Sequence, residues 1–213
     1  MRHRRPAPAP RHRTRAPEER SLSGEPRFIG SFPSADVPLA PVLPEVALIG
    51  RSNVGKSSLL NALAGRRIAK VSRTPGKTRM MNVFEMTAYY LLDLPGYGYA
   101  RASHAERHAF TRLVTGALER PRLAGVVWLL DSRREPSAED RAIQELFAAR
   151  ETPVLAALTK SDKLSHGERR TRERELPKTL ELPPDQVIVT SARAGEGIAD
   201  LRDSIRRLVA RAA

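Results

Sequence analysis

The stretch "GRSNVGKS", residues 50–57, has the spacing G-x-x-x-x-G-K-[ST] and joins a short apolar run to a segment of helical periodicity. In that setting Gly50 and Gly55 allow the backbone N–H groups of Arg51, Ser52, Asn53 and Val54 to curl around a phosphate. The helix N-terminus beyond adds its partial positive charge. Lys56 can neutralise β- and γ-phosphate oxygens, and the Ser57 hydroxyl can ligate Mg²⁺. The motif fits a nucleoside triphosphate and says nothing about the base.

The base is addressed by "TKSD" (159–162). After an apolar strand, Asp162 can accept hydrogen bonds from guanine N1–H and its 2-amino group while Lys160 packs along the ring, with Thr159 and Ser161 counted among the base-binding residues. Adenine lacks that donor pair, and a site left with an unpaired buried carboxylate rejects it. Alone, Thr-Lys-x-Asp also suits a capped turn; downstream of the phosphate motif it gains weight. "TSARAGEG" (190–197) supplies Thr190, Ser191 and Ala192 to the guanine O6 and is the least specific of the motifs.

"DLPG" (93–96) is a proline turn of Asp93, Leu94, Pro95 and Gly96. At the end of a strand, Asp93 would reach Mg²⁺ through water and the Gly96 N–H would meet the γ-phosphate. The basic, aperiodic segment 65–82 contains Gly76, Lys77, Thr78, Arg79 and Met80 and is placed where a nucleotide-sensing switch belongs. Thr78 is the expected second Mg²⁺ hydroxyl, with Thr74 as its rival. Phosphoryl transfer leaves the protein mostly positioning and charge to supply, so Lys56, Thr78, Asp93 and Gly96 are the residues expected to act on it.

Positioning these loops requires a sheet. "EVALIG" (45–50), "MNVFEM" and "AYYLLDL" around a turn at Thr87, "GVVWLLD" (125–131), "PVLAALTK" (153–160) and "QVIVTSA" (186–192) are near-continuous apolar strands. Between them lie "KSSLLNALA" (56–64), "RLVTGALE", "SAEDRAIQELFAA" with a Ser137 cap, and the closing "GIADLRDSIRRLVARA", all helical in period. The pattern predicts an α/β fold, a mostly parallel sheet flanked by helices on both faces. Each motif then falls at a strand's carboxyl end, where such sheets bind ligands.

Net charge is +13, which is read as suiting a polyanionic partner in preference to a mere codon bias toward Arg and Ala. There is no cysteine, which excludes disulfides and thiolate metal sites and is compatible with a cytoplasmic location. No apolar run approaches the roughly 18 residues of a membrane span, and no secretory signal is evident. Residues 1–26 are Pro-, Arg- and Ser-rich and are expected to be disordered, an RNA-binding arm or an idle leader. The folded unit is expected to occupy 27–213.

"GRSNVGKSSLLNAL", "TPGKTR", "DLPGYGYA", "LLDSRREPSAED" and "TKSDKLS" together resemble the bacterial EngB (YihA/YsxC) GTPases. The doubled Gly-Tyr of "DLPGYGYA" is the most specific element, and the resemblance spans roughly 27–210. It implies a Ras-like P-loop G domain that binds GTP with Mg²⁺, hydrolyses it slowly, and acts in late assembly of the large ribosomal subunit. That means rRNA and ribosomal proteins as partners, a historical link to septation, and a monomer without membrane attachment. The motif "TSA" departs from the family by lacking an aromatic before its serine.

Tyr97 stands where Ras-like GTPases place a water-orienting glutamine. It is expected to be no catalyst but a switch residue that packs, or stacks on a partner such as RNA, when that partner docks, and that relays the state together with Gly98 and Tyr99. The resemblance also offers Asn53 as a K⁺ ligand beside the phosphates; bracing of the loop is its other role. Arg73 and Arg79 are candidates to act in cis or to contact RNA. His104 and His108, four apart, read as a solvated face, "ERRTRERE" (168–175) as an ion-paired exposed helix, and Trp128 as core.

Overall fold

The computed structural model describes residues 24–70, 80–98 and 103–212. Seven strands form one sheet: β1 (Arg27–Phe32), β2 (Glu45–Gly50), β3 (Met81–Glu85), β4 (Tyr90–Asp93), β5 (Leu123–Asp131), β6 (Val154–Thr159) and β7 (Val187–Val189). Their spatial order is β1-β3-β4-β2-β5-β6-β7. The β4–β2–β5–β6–β7 pairs are parallel, whereas β1–β3 and β3–β4 are antiparallel. The mostly parallel sheet expected from the apolar runs is therefore present, with an antiparallel edge.

Among the described residues, five α-helices cover it: α1 (Lys56–Ala64), α2 (His104–Leu118), α3 (Ala138–Ala148), α4 (His166–Thr179) and α5 (Ile198–Ala212). Alternate side chains of the central strands enter separate cores on the two faces. Ala47, Ile49, Trp128 and Leu158 pack beneath α2, α3 and α4, joined by Val114, Phe147 and Leu176. Leu48, Val127, Leu129 and Ala157 pack beneath α1 and α5, against Leu60 and Ile205. Both faces of β2 are buried, which is why its sequence is apolar without alternation.

Several boundaries differ from the sequence reading. β1 is an additional strand; its Gly30 and mixed exposure hide the period-two signal, and a register shift between Phe28 and Gly30 breaks it further. β7 keeps only three residues, because beyond Val189 the chain turns to make the "TSA" loop. The helix expected to contain "RLVTGALE" is α2, which starts at a capping box formed by Ser103 and Glu106. α4 is the expected exposed, ion-paired helix, with Arg169–Glu173 and Arg172–Glu135 pairs. His104 and His108 are exposed as expected, their Nε2 atoms 3.2 Å apart.

Trp128 is fully buried. No helix among the described residues is long and apolar enough to cross a membrane.

Candidate functional site

The phosphate motif occupies the turn from β2 into α1. Helices α2, α3 and α4 each begin with a capping box, in which a serine and an acid satisfy the first N–H groups. Helix α1 has neither a capping side chain nor an acid in its first turn; its N-cap is Gly55, at φ 111°. A side chain is strongly disfavoured at that φ, and its absence leaves the first N–H groups of α1 facing the loop. Asn53 is also left-handed, at φ 62°, and its side chain is exposed at the rim. The loop thus leaves an uncapped, positively polarised helix end, the arrangement that suits an anion.

Strand β4 delivers "DLPG" beside this loop. Asp93 is 4% exposed, accepts a hydrogen bond from the Lys56 ammonium, and takes a second from Asn82 Nδ2 at 3.2 Å. Gly96 lies so close to the loop that an added Cβ would sit 3.0 Å from the Ser52 nitrogen. The Ser52 N–H donates to the Tyr97 carbonyl at 2.9 Å, and Arg51 and Tyr97 form a parallel bridge. Leu94 is buried and its N–H donates to the Leu48 carbonyl at 3.0 Å, extending the strand pairing up to the turn.

The base motif closes the other side. The Thr159 hydroxyl donates to the carbonyls of Val54 (2.7 Å) and Leu130 (3.1 Å). Lys160, at φ 64°, turns its ammonium to the Asn53 carbonyl (2.7 Å) and to Asp131 Oδ2 (2.9 Å). Burial works to raise the Asp131 carboxyl, but hydrogen bonds from Arg133 and Lys160 hold it well below the usual carboxylate range. The Ser191 hydroxyl donates to Asp162 Oδ1 at 2.8 Å, and the Ser161 N–H to the Thr190 carbonyl at 3.2 Å.

A cavity of about 190 Å³ opens between these loops, lined by Gly55, Thr159, Lys160, Asp162, Ala192 and neighbouring residues. A larger groove of about 420 Å³ runs between α4, β7 and α5 and contains none of the phosphate or base motifs.

The structure therefore brings together residues 50–57, 93–96, 159–162 and 190–192 at the carboxyl ends of β2, β4, β6 and β7. Met80 is exposed immediately before β3. Gly76, Lys77, Thr78 and Arg79 lie outside the described residues, as do Arg73, Thr74, Tyr99 and the basic leader up to residue 23.

One expectation is corrected. Tyr97 is 6% exposed and cannot stack on a partner in this arrangement: its hydroxyl donates to Asp140 Oδ1 (2.6 Å) and accepts from Trp128 Nε1–H (2.9 Å). Burial, with the neighbouring Asp140 carboxylate, pushes its ionisation far above that of an ordinary tyrosine. Asp131, Asp140 and Asn82 were not singled out from the sequence. Asp131 had a usable signal, an acid closing an apolar strand at the ligand end of the sheet.

Comparison with known proteins agrees with this geometry. A family model described as 50S ribosome-binding GTPase matches residues 45–160. The chain is 46% identical over 171 residues to a probable GTP-binding protein EngB of Gemmatimonas aurantiaca, covering 79% of this chain and 84% of that protein. It is 43% identical to a probable GTP-binding protein EngB of Syntrophomonas wolfei, covering 78% and 88%. A crystal structure of a probable GTP-binding protein engB superposes with a TM-score of 0.66 at 22% identity, covering 78% of this chain and 99% of that one, a likeness of fold.

Proposed function

Because the chain belongs to the EngB family of GTP-binding proteins, we propose that it binds GTP with Mg²⁺, hydrolyses it slowly, and acts as a nucleotide-dependent switch in assembly of the large ribosomal subunit. The observation that carries the nucleotide part is the joining of two loops: the base motif is hydrogen-bonded to the phosphate loop through Thr159–Val54 and Lys160–Asn53. One ligand spanning both, a guanine at Asp162 and phosphates at residues 50–57, fits that arrangement.

In this reading the N–H groups of the loop and of the first turn of α1 hold the phosphates, and Lys56 transfers its ammonium from Asp93 to the β- and γ-oxygens. Gly96 contacts the γ-phosphate. Lys160 lies along the base, Asp162 selects it, and Ser161 with Thr190 to Ala192 completes the pocket. Ser57, Asp93 and, within the segment 76–80, Thr78 are hydroxyl and carboxylate donors of the hard-oxygen kind that Mg²⁺ takes. When bound there, Mg²⁺ would neutralise charge developing on the phosphate oxygens.

The Tyr97 hydroxyl is committed to Asp140 and Trp128, so it does not orient a water, and turnover without a partner is slow. The exposed Asn53 side chain leaves an amide oxygen at the phosphate end for a K⁺ ion to use. The ribosomal part is supported by the matching family's description and by the net charge of +13, suited to rRNA. It assigns the chain to the cytoplasm as a monomer.

The test is co-sedimentation with ribosomal particles in GTP, GDP and a nonhydrolysable GTP analogue, paired with GTP hydrolysis assays. Association with large-subunit particles in the triphosphate state, and faster hydrolysis in their presence, are expected. Binding indifferent to the nucleotide would overturn the switch.

A further inference from the structure

We infer that Tyr97 is a positioning residue whose hydroxyl, pinned between Trp128 and Asp140, holds the Gly96–Tyr97 peptide against the phosphate loop and pre-sets the site for a γ-phosphate; the inference rests on the GTP-binding reading above. Three sets of contacts carry it.

The first is the side chain itself. Tyr97 donates to Asp140 and accepts from Trp128, and these two partners are 3% and 0% exposed. Buried bonds of this kind to a charged acceptor are strong, and leaving either partner unpaired is costly. Asp140 is not free to follow Tyr97 elsewhere. Its other oxygen accepts from the Ser137 N–H (2.8 Å) and hydroxyl (2.7 Å), which form the cap of α3.

The second is the backbone. The Tyr97 carbonyl accepts from Ser52 N–H at 2.9 Å, and its own N–H points to the Gly50 carbonyl at 3.4 Å. The two peptides flanking Tyr97, Gly96–Tyr97 and Tyr97–Gly98, are thereby tied to Gly50 and Ser52.

The third is Arg51. Its guanidinium lies over Gly98, where an added Cβ would meet Nε at 3.0 Å, and it reaches Glu139 at 3.4 Å. Both acids of the first turn of α3 thus hold groups from the phosphate end of the site.

GDP has no atom where Gly96 would meet the γ-phosphate. A group fixed before binding saves the ordering cost that a loose one incurs on binding. Loosening the pin should therefore weaken the triphosphate and leave the diphosphate alone, whereas damage to the phosphate loop would weaken both.

The experiment titrates the full chain with GDP and with a nonhydrolysable GTP analogue. For Tyr97→Phe, which keeps the ring and removes the hydroxyl, analogue affinity is expected to fall about fivefold to tenfold while GDP affinity stays within about twofold. Asp140→Ala should show the same split, and the double variant should be no weaker than the worse single one. Equal loss for both nucleotides, or no loss for the analogue, overturns the inference.

Trp128 is the one tryptophan of the chain, so its emission reports the pin in the unaltered protein. An emission maximum that is the same in GDP and analogue is expected, and a shift on exchange would mean that the pin releases. If the unaltered chain binds neither nucleotide, the GTP reading itself falls, and this inference with it.

Discussion

The Thr159 hydroxyl donates to the Val54 carbonyl across 2.7 Å, so the loop proposed to select a base is fastened to the loop proposed to hold phosphates. The bond is buried, and Thr159 also reaches the Leu130 carbonyl, so one hydroxyl fixes three segments of chain. Lys160 repeats the tie one residue later, on Asn53. The two recognition loops form one unit before any ligand arrives.

Thr159→Val tests that unit. Valine keeps the shape and removes the donor, taking from the buried Val54 carbonyl its 2.7 Å partner at a cost of about 1–3 kcal/mol. Chemical denaturation should register the loss. GDP and GTP affinities should drop together, in contrast to the split expected for Tyr97→Phe.

Asp162→Asn should exchange base preference. The Ser191 hydroxyl donates to Asp162 Oδ1, which would orient the new amide with its oxygen toward Ser191 and its nitrogen toward the base. An amide donor suits the 2-oxo group of xanthine and repels the 2-amino group of guanine. Competition binding should show GTP weakened by at least about 100-fold and xanthosine triphosphate favoured over it. Unchanged GTP affinity would remove Asp162 from the base site.

Lys56→Ala should destabilise the protein even without nucleotide. The Lys56 and Asp93 side chains are 11% and 5% exposed, and among the described residues Asn82 is the side-chain partner that would remain beside the carboxylate. An uncompensated buried charge of this kind costs about 3–5 kcal/mol. Adding Asp93→Asn to Lys56→Ala should recover much of that stability in urea unfolding, with no recovery of nucleotide binding.

The alkaline limb of stability should depend on Tyr97. Its ionisation is raised in the folded state, first by burial and then by Asp140, so the unfolded chain loses this proton first as pH rises. The stabilisation is complete below the ordinary tyrosine range near pH 10 and is lost progressively above it, at about 1.4 kcal/mol per pH unit. Tyr89, pushed up to about 12 by burial, contributes a similar slope that both proteins share. The advantage of the unaltered chain over Tyr97→Phe should therefore shrink between pH 10 and 11, as read by thermal denaturation at each pH.

Residues 50–57, 93–96 and 159–162 were legible as a site because each joins a fixed spacing to a strand end, and a parallel sheet brings its strand ends together. Trp128 was legible as core from its apolar strand. Strand β1 was not, since an edge strand exposed on one side and broken by Gly30 has neither a continuous apolar run nor clean alternation. Asp140 was not legible as a partner, because its side chain receives Tyr97 through a contact between residues 43 positions apart.

By itself the sequence determined the layered α/β architecture and which motif loops would meet at the strand ends, because periodicity and motif spacing are local properties. It placed Tyr97 at the position of a missing glutamine but could not say which way the ring points. Only the tertiary structure decided that. The ring turns inward because Trp128 from β5 and Asp140 from α3 converge on one buried point, where a donor and an acceptor would otherwise lack a partner. That pairing makes the residue an anchor in the protein's interior.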